Sequence, residues 1–448
     1  MINIRIGDFL KMETILNFIQ AKQFMYFLVA IFSIIMFIVL CKKYKLSKYQ
    51  ILIFILFSLF WSSVVIIRSY RKTFALTAPE SGGLGLEELA AVSITSIYGL
   101  ISIFVRLPIF IITDFFKSRK FFIGLSMVAI CVTSILVYLY PSYTTLYCSS
   151  LAIGIAASFI SLFNVMFADT FDSKNAILSV SILSIAPLMA EFLVAPLQYF
   201  ATMDTVKNYG TLWLISSIMV LISLALLFFV KDNKEKIVNF TIAKVKTVIT
   251  NKNFLFLCLI GVFVSFIKFA TSDANFVAFA NLEEVNMSPF RVAYADVIFS
   301  TAQLIAGVFA GIYLKKKIGV KNTLLLGVGS SFIFSILPVV TTNSIILFWA
   351  NGLNGFGYGL TYNILIGMVM QPFTKDYREI TMGIYQTFFA IGIYFGDRIY
   401  KYIYKLLLNE SLYISYKNVF MTISVFAALL FIFISVYFRK QNKEFLES

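Results

Sequence analysis

Apolar residues fall in long runs along this 448-residue chain, and short polar or charged stretches separate the runs. Thirteen runs are long enough for a helix that crosses a bilayer, which takes about 20 predominantly apolar residues. The first covers 24–41. Six follow at 50–72, 90–113, 121–140, 144–168, 177–201 and 210–230, and six more at 254–280, 291–314, 322–341, 345–371, 379–404 and 417–438. The pattern predicts an all-α polytopic membrane protein in five parts. These are an N-terminal extension with an extra transmembrane helix (1–49), a six-helix bundle (50–230), a polar central loop (231–253), a second six-helix bundle (254–438) and a short tail (439–448).

Composition supports this reading. Hydrophobic residues make up 60% of the chain and charged residues 13%, which does not fit a soluble domain around one core. The run at 24–41 is followed by Lys42 and Lys43 rather than by a small-residue cleavage site, so it is expected to be a retained helix and not a signal peptide. Phe, Tyr, Ile, Asn and Lys are frequent. Their AT-rich codons point to a bacterial source, and so to a bacterial plasma membrane.

The net charge of +15 would suggest nucleic acid in a soluble protein. Here the cations sit in alternate loops. One set holds Lys42, Lys43, Lys45 and Lys48; Lys117, Arg119 and Lys120; the lysines of the central loop; Lys315, Lys316, Lys317 and Lys321; Lys375 and Arg378; and Arg439, Lys440 and Lys443 of the tail. The opposite set holds Glu80, Glu87, Glu88, Glu283 and Glu284. By the positive-inside rule the basic set, and with it the C-terminus, is expected in the cytoplasm. Lipid and a small solute are the expected partners, without nucleic acid, and the expected state is a monomer. The four cysteines are scattered and there is no histidine, so no metal or cofactor is expected. Without a nucleophile motif, a metal-spaced acid cluster or a nucleotide-binding loop, neither an enzyme nor an ATP-driven pump is expected.

Charges inside the spans are the sharpest chemical signal. A centred charge costs about 2.5–3.5 kcal/mol on insertion scales and therefore faces a cavity or a partner. Arg71 and Lys72 close the first core span, Arg106 lies in the second and Lys268 in the seventh. Among carboxylates, Glu191 is central in the fifth span, and Asp273 and Asp296 lie in the seventh and eighth. Pairing of Glu191 with Arg106 and of Asp273 with Lys268 is one expectation; a coupling role for Glu191 or Asp273 is another. Asp397, beside Arg398, reads as interfacial. In the tenth span Gly355 and Gly359 are spaced for close helix packing.

Two six-helix halves with a charged loop between them resemble the major facilitator superfamily. Asp114 with Arg119 and Lys120, after the second core span, resembles that superfamily's gating loop, although Phe110 stands where its glycine belongs. A degenerate second copy runs from Gly307 and Gly311 to Lys315-Lys316-Lys317-Ile318-Gly319-Val320-Lys321. Within the superfamily, Arg71-Lys72-Thr73-Phe74-Ala75-Leu76 resembles the Arg-Lys-x-Phe-Ala-Leu stretch of the organophosphate:phosphate antiporters, the glycerol-3-phosphate and hexose-phosphate transporters. Arg106, eight residues before Asp114, stands where that family has a contributing lysine. Lys268 and Asp273 keep the spacing of its second arginine and following aspartate. The departures are lysine for that arginine, which loses bidentate geometry, and Pro187, Glu191 and Pro196 in a fifth span that lacks the family's histidine.

The resemblance implies a secondary transporter working by alternating access, with an anionic substrate held by Arg71, Arg106 and Lys268 and exchanged for phosphate. The alternative is a proton-coupled symporter or efflux carrier of an uncharged or cationic solute, with Glu191 or Asp273 as the proton site.

Overall fold

The computed structural model describes residues 22–171, 182–183, 185–231, 241–309, 314–374, 377–407 and 410–440. The start of the run at 177–201, residues 232–240 of the central loop and residues 310–313 lie outside the described residues.

The extra run is α1 (Lys22–Lys43). The first core span is two helices, α2 (Lys48–Arg68) and α3 (Arg71–Leu76), and the second is α4 (Glu88–Val105) and α5 (Pro108–Phe116). The third is α6 (Arg119–Leu139), the fourth α7 (Tyr143–Ser158) and α8 (Ile160–Ala168), the fifth α9 (Ile185–Thr202) and the sixth α10 (Tyr209–Leu227). A short helix, α11 (Ile242–Ile249), follows in the central loop. The seventh span is α12 (Lys252–Thr271) and α13 (Asp273–Ala280), the eighth α14 (Pro289–Phe309) and the ninth α15 (Lys315–Val340). The last three are α16 (Ser344–Met370), α17 (Arg378–Leu406) and α18 (Leu412–Lys440).

Among the described residues nine spans are long and apolar enough to cross a membrane, and α14, α16 and α17 are not among them. Polarity explains the two most charged of these. Arg291 and Asp296 lie in α14, and Asp397, Arg398, Lys401 and Lys405 lie in α17.

Short polar residues start many of the helices by accepting from orphan amides. Ser47 and Gln50 form a capping box before α2, Asn251 accepts from the Phe254 amide before α12, and Asn343 accepts from two amides at the start of α16.

The halves are built alike. In the first, the first span packs on the fifth, the second on the fourth and the third on the sixth; in the second, the seventh packs on the eleventh, the eighth on the tenth and the ninth on the twelfth. The halves meet where α4 packs on α17, α9 on α14 and α3 on α13. Contact between α4 and α17 is tight enough that a Cβ on Gly99 would sit 2.5 Å from the Tyr394 backbone nitrogen. Helix α1 packs against the outside of α9, with Phe32 edge-on to Phe192.

Both helices that open a half are broken at the same place. The first span breaks at Ser69 and Tyr70, between α2 and α3. The seventh breaks at Ser272, which is extended, and Asp273, whose φ of 50° is left-handed. Asp is among the few side chains that tolerate that region. Neither break holds a proline or glycine, so the apolar pattern reads straight through both.

Candidate functional site

The two breaks face each other at the boundary between the halves and carry the buried charge. Arg68, the last residue of α2, donates through Nη2 to Asp273 Oδ1 at 2.8 Å and to Glu191 Oε1 at 3.3 Å. Asp273 also accepts from Lys268 Nζ. Ser69 Oγ donates to Asp296 Oδ2 at 2.6 Å. Two cations, Arg68 and Lys268, thus bind two carboxylates, Glu191 and Asp273, with a third, Asp296, held beside them by Ser69, and all five are buried. Arg68 and Glu191 come from the first half, and Lys268, Asp273 and Asp296 from the second.

The cluster keeps unused bonding capacity. Arg68 Nε and Glu191 Oε2 are buried without a hydrogen-bond partner among the described residues. Such groups are costly to leave unmet in an interior.

Arg71 lies one turn beyond Arg68. Its Nε donates to the Arg68 carbonyl at 3.0 Å and its guanidinium lies 5.1 Å from the Tyr98 ring centre. Among the described residues its Nη1 has no hydrogen-bond partner, and neither has Asp397 Oδ2. Asp397 is buried and accepts from Asn275 Nδ2 at 2.8 Å, so the interfacial reading of this residue is corrected. A helix-end position invited that reading, but α17 runs alongside α12 and turns the carboxylate inward.

Lys72 is fully buried. Its Nζ lies 2.6 Å from Glu88 Oε1 and 3.1 Å from Asn275 Oδ1. The rings of Tyr400 and Tyr416 stand 3.8 and 4.5 Å from it. Tyr416 also donates to Glu88 Oε2 at 3.3 Å. The first half supplies the ion pair and the second half supplies the asparagine and both rings.

The sequence-derived cations do not form one cluster. Lys268 is bound into the Arg68 network, with Phe269 beneath it at 3.9 Å and the Tyr358 ring at 5.8 Å. Arg106 donates to the Gln386 side chain and, at 3.1 Å, to its carbonyl, bridging the second and eleventh spans. Gln386 in turn donates to the Tyr362 hydroxyl at 3.2 Å. The pairing of Asp273 with Lys268 is present; that of Glu191 with Arg106 is not, because Arg68 takes Glu191.

In the loop that resembles the superfamily's gating loop, Arg119 donates to Asp169 at 2.9 Å, and Lys120 Nζ caps the carbonyls of Phe228 and Val230. Both tie elements of the first half together. Asp114 lies in α5, and its side chain is outside the described residues.

Sequence reasoning passed over Arg68 and Glu88. Arg68 had a signal: it stands three residues before Arg71, on the same helical face. Glu88 read as a loop acid, and only its contact with Lys72 distinguishes it from Glu87.

Comparison with known proteins places this geometry. Residues 258–446 match the Major Facilitator Superfamily family model. No curated protein matches the chain. Among solved structures, a POT family transporter in complex with a thioalcohol-conjugated peptide is similar, with a TM-score of 0.73 and 14% identity over 87% of this chain and 96% of that one. The nucleoside transporter NupG is similar at a TM-score of 0.64 and 14% identity, covering 88% and 98%. A D-xylose-proton symporter gives 0.61 and 14%, covering 84% and 96%. The chain therefore has the major-facilitator fold, an all-α membrane architecture of two six-helix bundles with one extra N-terminal helix.

Proposed function

We propose that this protein is a secondary active transporter that moves a small solute by alternating access and couples the movement to a proton on the Glu191–Asp273–Asp296 carboxylates. One observation carries the reading: Arg68 of the first half is bound to Asp273 of the second inside a buried group in which carboxylates outnumber cations. Asp273 is the carboxylate that ties Arg68 to the second half, and once protonated it no longer holds Arg68 as a carboxylate does. Loading a proton therefore weakens the bond between the halves, and losing it restores the bond. Broken helices at the repeat interface are where transporters of this architecture place their sites. Basic loops and the C-terminus face the cytoplasm in this reading.

The solute meets the unused groups, Arg71 Nη1 and Asp397 Oδ2, beside Tyr98. The test is uptake into proteoliposomes across an imposed pH gradient, with peptides, nucleosides and pentoses as the first panel. Accumulation that a protonophore collapses and that Glu191→Gln abolishes supports the reading; accumulation indifferent to both overturns it.

A second reading is exchange of a phosphorylated metabolite for phosphate. Arg71 favours it: it opens the Arg-Lys-x-Phe-Ala-Leu stretch and retains an unpartnered guanidinium nitrogen, a donor suited to an oxyanion. Labelled phosphate entering phosphate-loaded vesicles without a pH gradient, blocked by hexose phosphate and lost in Arg71→Ala, would establish exchange in place of proton coupling.

A further inference from the structure

Helix α11 of the central loop has two unlike faces. Val248 is buried and Val245 partly so, against the starts of α12 and α17, and Lys244 lies 5.9 Å from the Tyr377 ring. At 100° per residue, Ile242, Lys246 and Ile249 share a second face, about a quarter-turn round from the two valines. All three are exposed, Ile242 at 83% and Ile249 at 43%. Lys252, exposed at the first position of α12, extends the basic character of this face.

Neither water nor the other described residues account for such a face. Two isoleucines on a two-turn helix of a polar linker gain nothing from exposure to water. The sequence from 241 to 256 holds no acidic residue, so no neighbour in this segment neutralises Lys246 and Lys252. Its place limits what can cover it. The helix ends two residues before α12 begins, so it lies at the level where the seventh span leaves the bilayer. Other apolar side chains are bare at this end of the bundle, among them Phe115 at 81% and Phe228 at 78%. Apolar residues alternating with lysines on a helix at that depth are the features of an in-plane helix on an anionic membrane surface.

We propose that the outer face of α11 docks on the anionic phospholipid of the leaflet at the basic end of the bundle. Ile242 and Ile249 enter the boundary between headgroups and acyl chains, and Lys246 and Lys252 meet lipid phosphates. Docking anchors the linker between the halves to the bilayer beside the second half. This inference rests on the fold and on the surface of α11, not on the transport reading.

The test places an environment-sensitive fluorophore at Ile242→Cys in full-length protein with Cys41, Cys131, Cys148 and Cys258 replaced by serine or alanine. The protein is reconstituted into vesicles of phosphatidylcholine alone or with about one third phosphatidylglycerol. The expected result is blue-shifted emission, quenched by shallow nitroxide lipids, in the anionic vesicles. That shift is lost in Lys246→Gln/Lys252→Gln, which still elutes as a single folded species. Emission of a water-exposed probe in both lipids would overturn the proposal. So would a blue shift that ignores lipid charge and fades as protein is diluted in the bilayer, since a second copy would then cover the face.

Discussion

Arg68 and Asp273 lie 205 positions apart in sequence and 2.8 Å apart in space, and their bond joins the break in the first core span to the break in the seventh. Replacing Arg68 leaves Glu191 and Asp273 buried with only Lys268 opposite them. Removing one partner of a buried pair costs about 3–5 kcal/mol. Arg68→Ala is expected to lower the unfolding temperature in detergent markedly and to abolish transport. Arg68→Lys keeps the charge but loses the fork that spans two carboxylates, and should fold well while transporting poorly. Thermal unfolding and uptake measured on the same preparations check both.

Lys72 and Glu88 should act as a unit. Lys72→Ala strands a buried carboxylate, and Glu88→Ala strands a buried ammonium, each at a cost of about 3–5 kcal/mol. The double replacement by apolar residues should recover most of that stability while leaving the rings of Tyr400 and Tyr416 without a cation between the halves. A double-mutant cycle on unfolding gives the coupling. Additive losses would show that the pair is not an energetic unit.

Arg71 and Arg106 should separate by phenotype. Arg71 has an unpartnered Nη1, whereas Arg106 holds Gln386 across the halves through two bonds. Arg71→Gln is expected to change stability by less than about 1 kcal/mol and to depress transport at least tenfold. Arg106→Gln should move both. The comparison uses unfolding midpoints together with transport KM and maximal rate.

Gly99 sets how closely the halves approach. A Cβ there would stand 2.5 and 2.6 Å from Tyr394 N and Cα, backbone atoms that cannot rotate away. Gly99→Ala is expected to force α4 and α17 apart, at about 1–3 kcal/mol against this closed arrangement. The variant should fold but populate the separated state. Cross-linking yield between cysteines placed on α4 and α17 reports it as a fall.

The helical plan was legible because each span is a long apolar run, and the Lys268–Asp273 contact because five residues bring the two together around a helix break. The breaks themselves were not legible. Ser69, Tyr70 and Ser272 carry no breaker signature, and the geometry at Asp273 is set by the cations it accepts from. Glu88 and Asp397 were misplaced for a related reason. Hydropathy puts a charge near a helix end into a loop or at the interface, whereas the partner that buries it, Lys72 or Asn275, is carried by another helix. Arg68 was the avoidable omission, since its spacing to Arg71 was visible.

The most direct test of the central claim measures the separation of the halves as the carboxylates are protonated. Spin labels at Thr205→Cys and Glu284→Cys, both exposed at the acidic-loop end, report it by pulsed electron resonance in a background without native cysteines. That end is closed in this structure, where Tyr199 and Phe290 meet with ring centres 6.0 Å apart. The account predicts that acidification moves the distance distribution towards longer separations, and that Asp273→Asn does so at neutral pH. A distribution that stays fixed across pH and in the folded variant would contradict it.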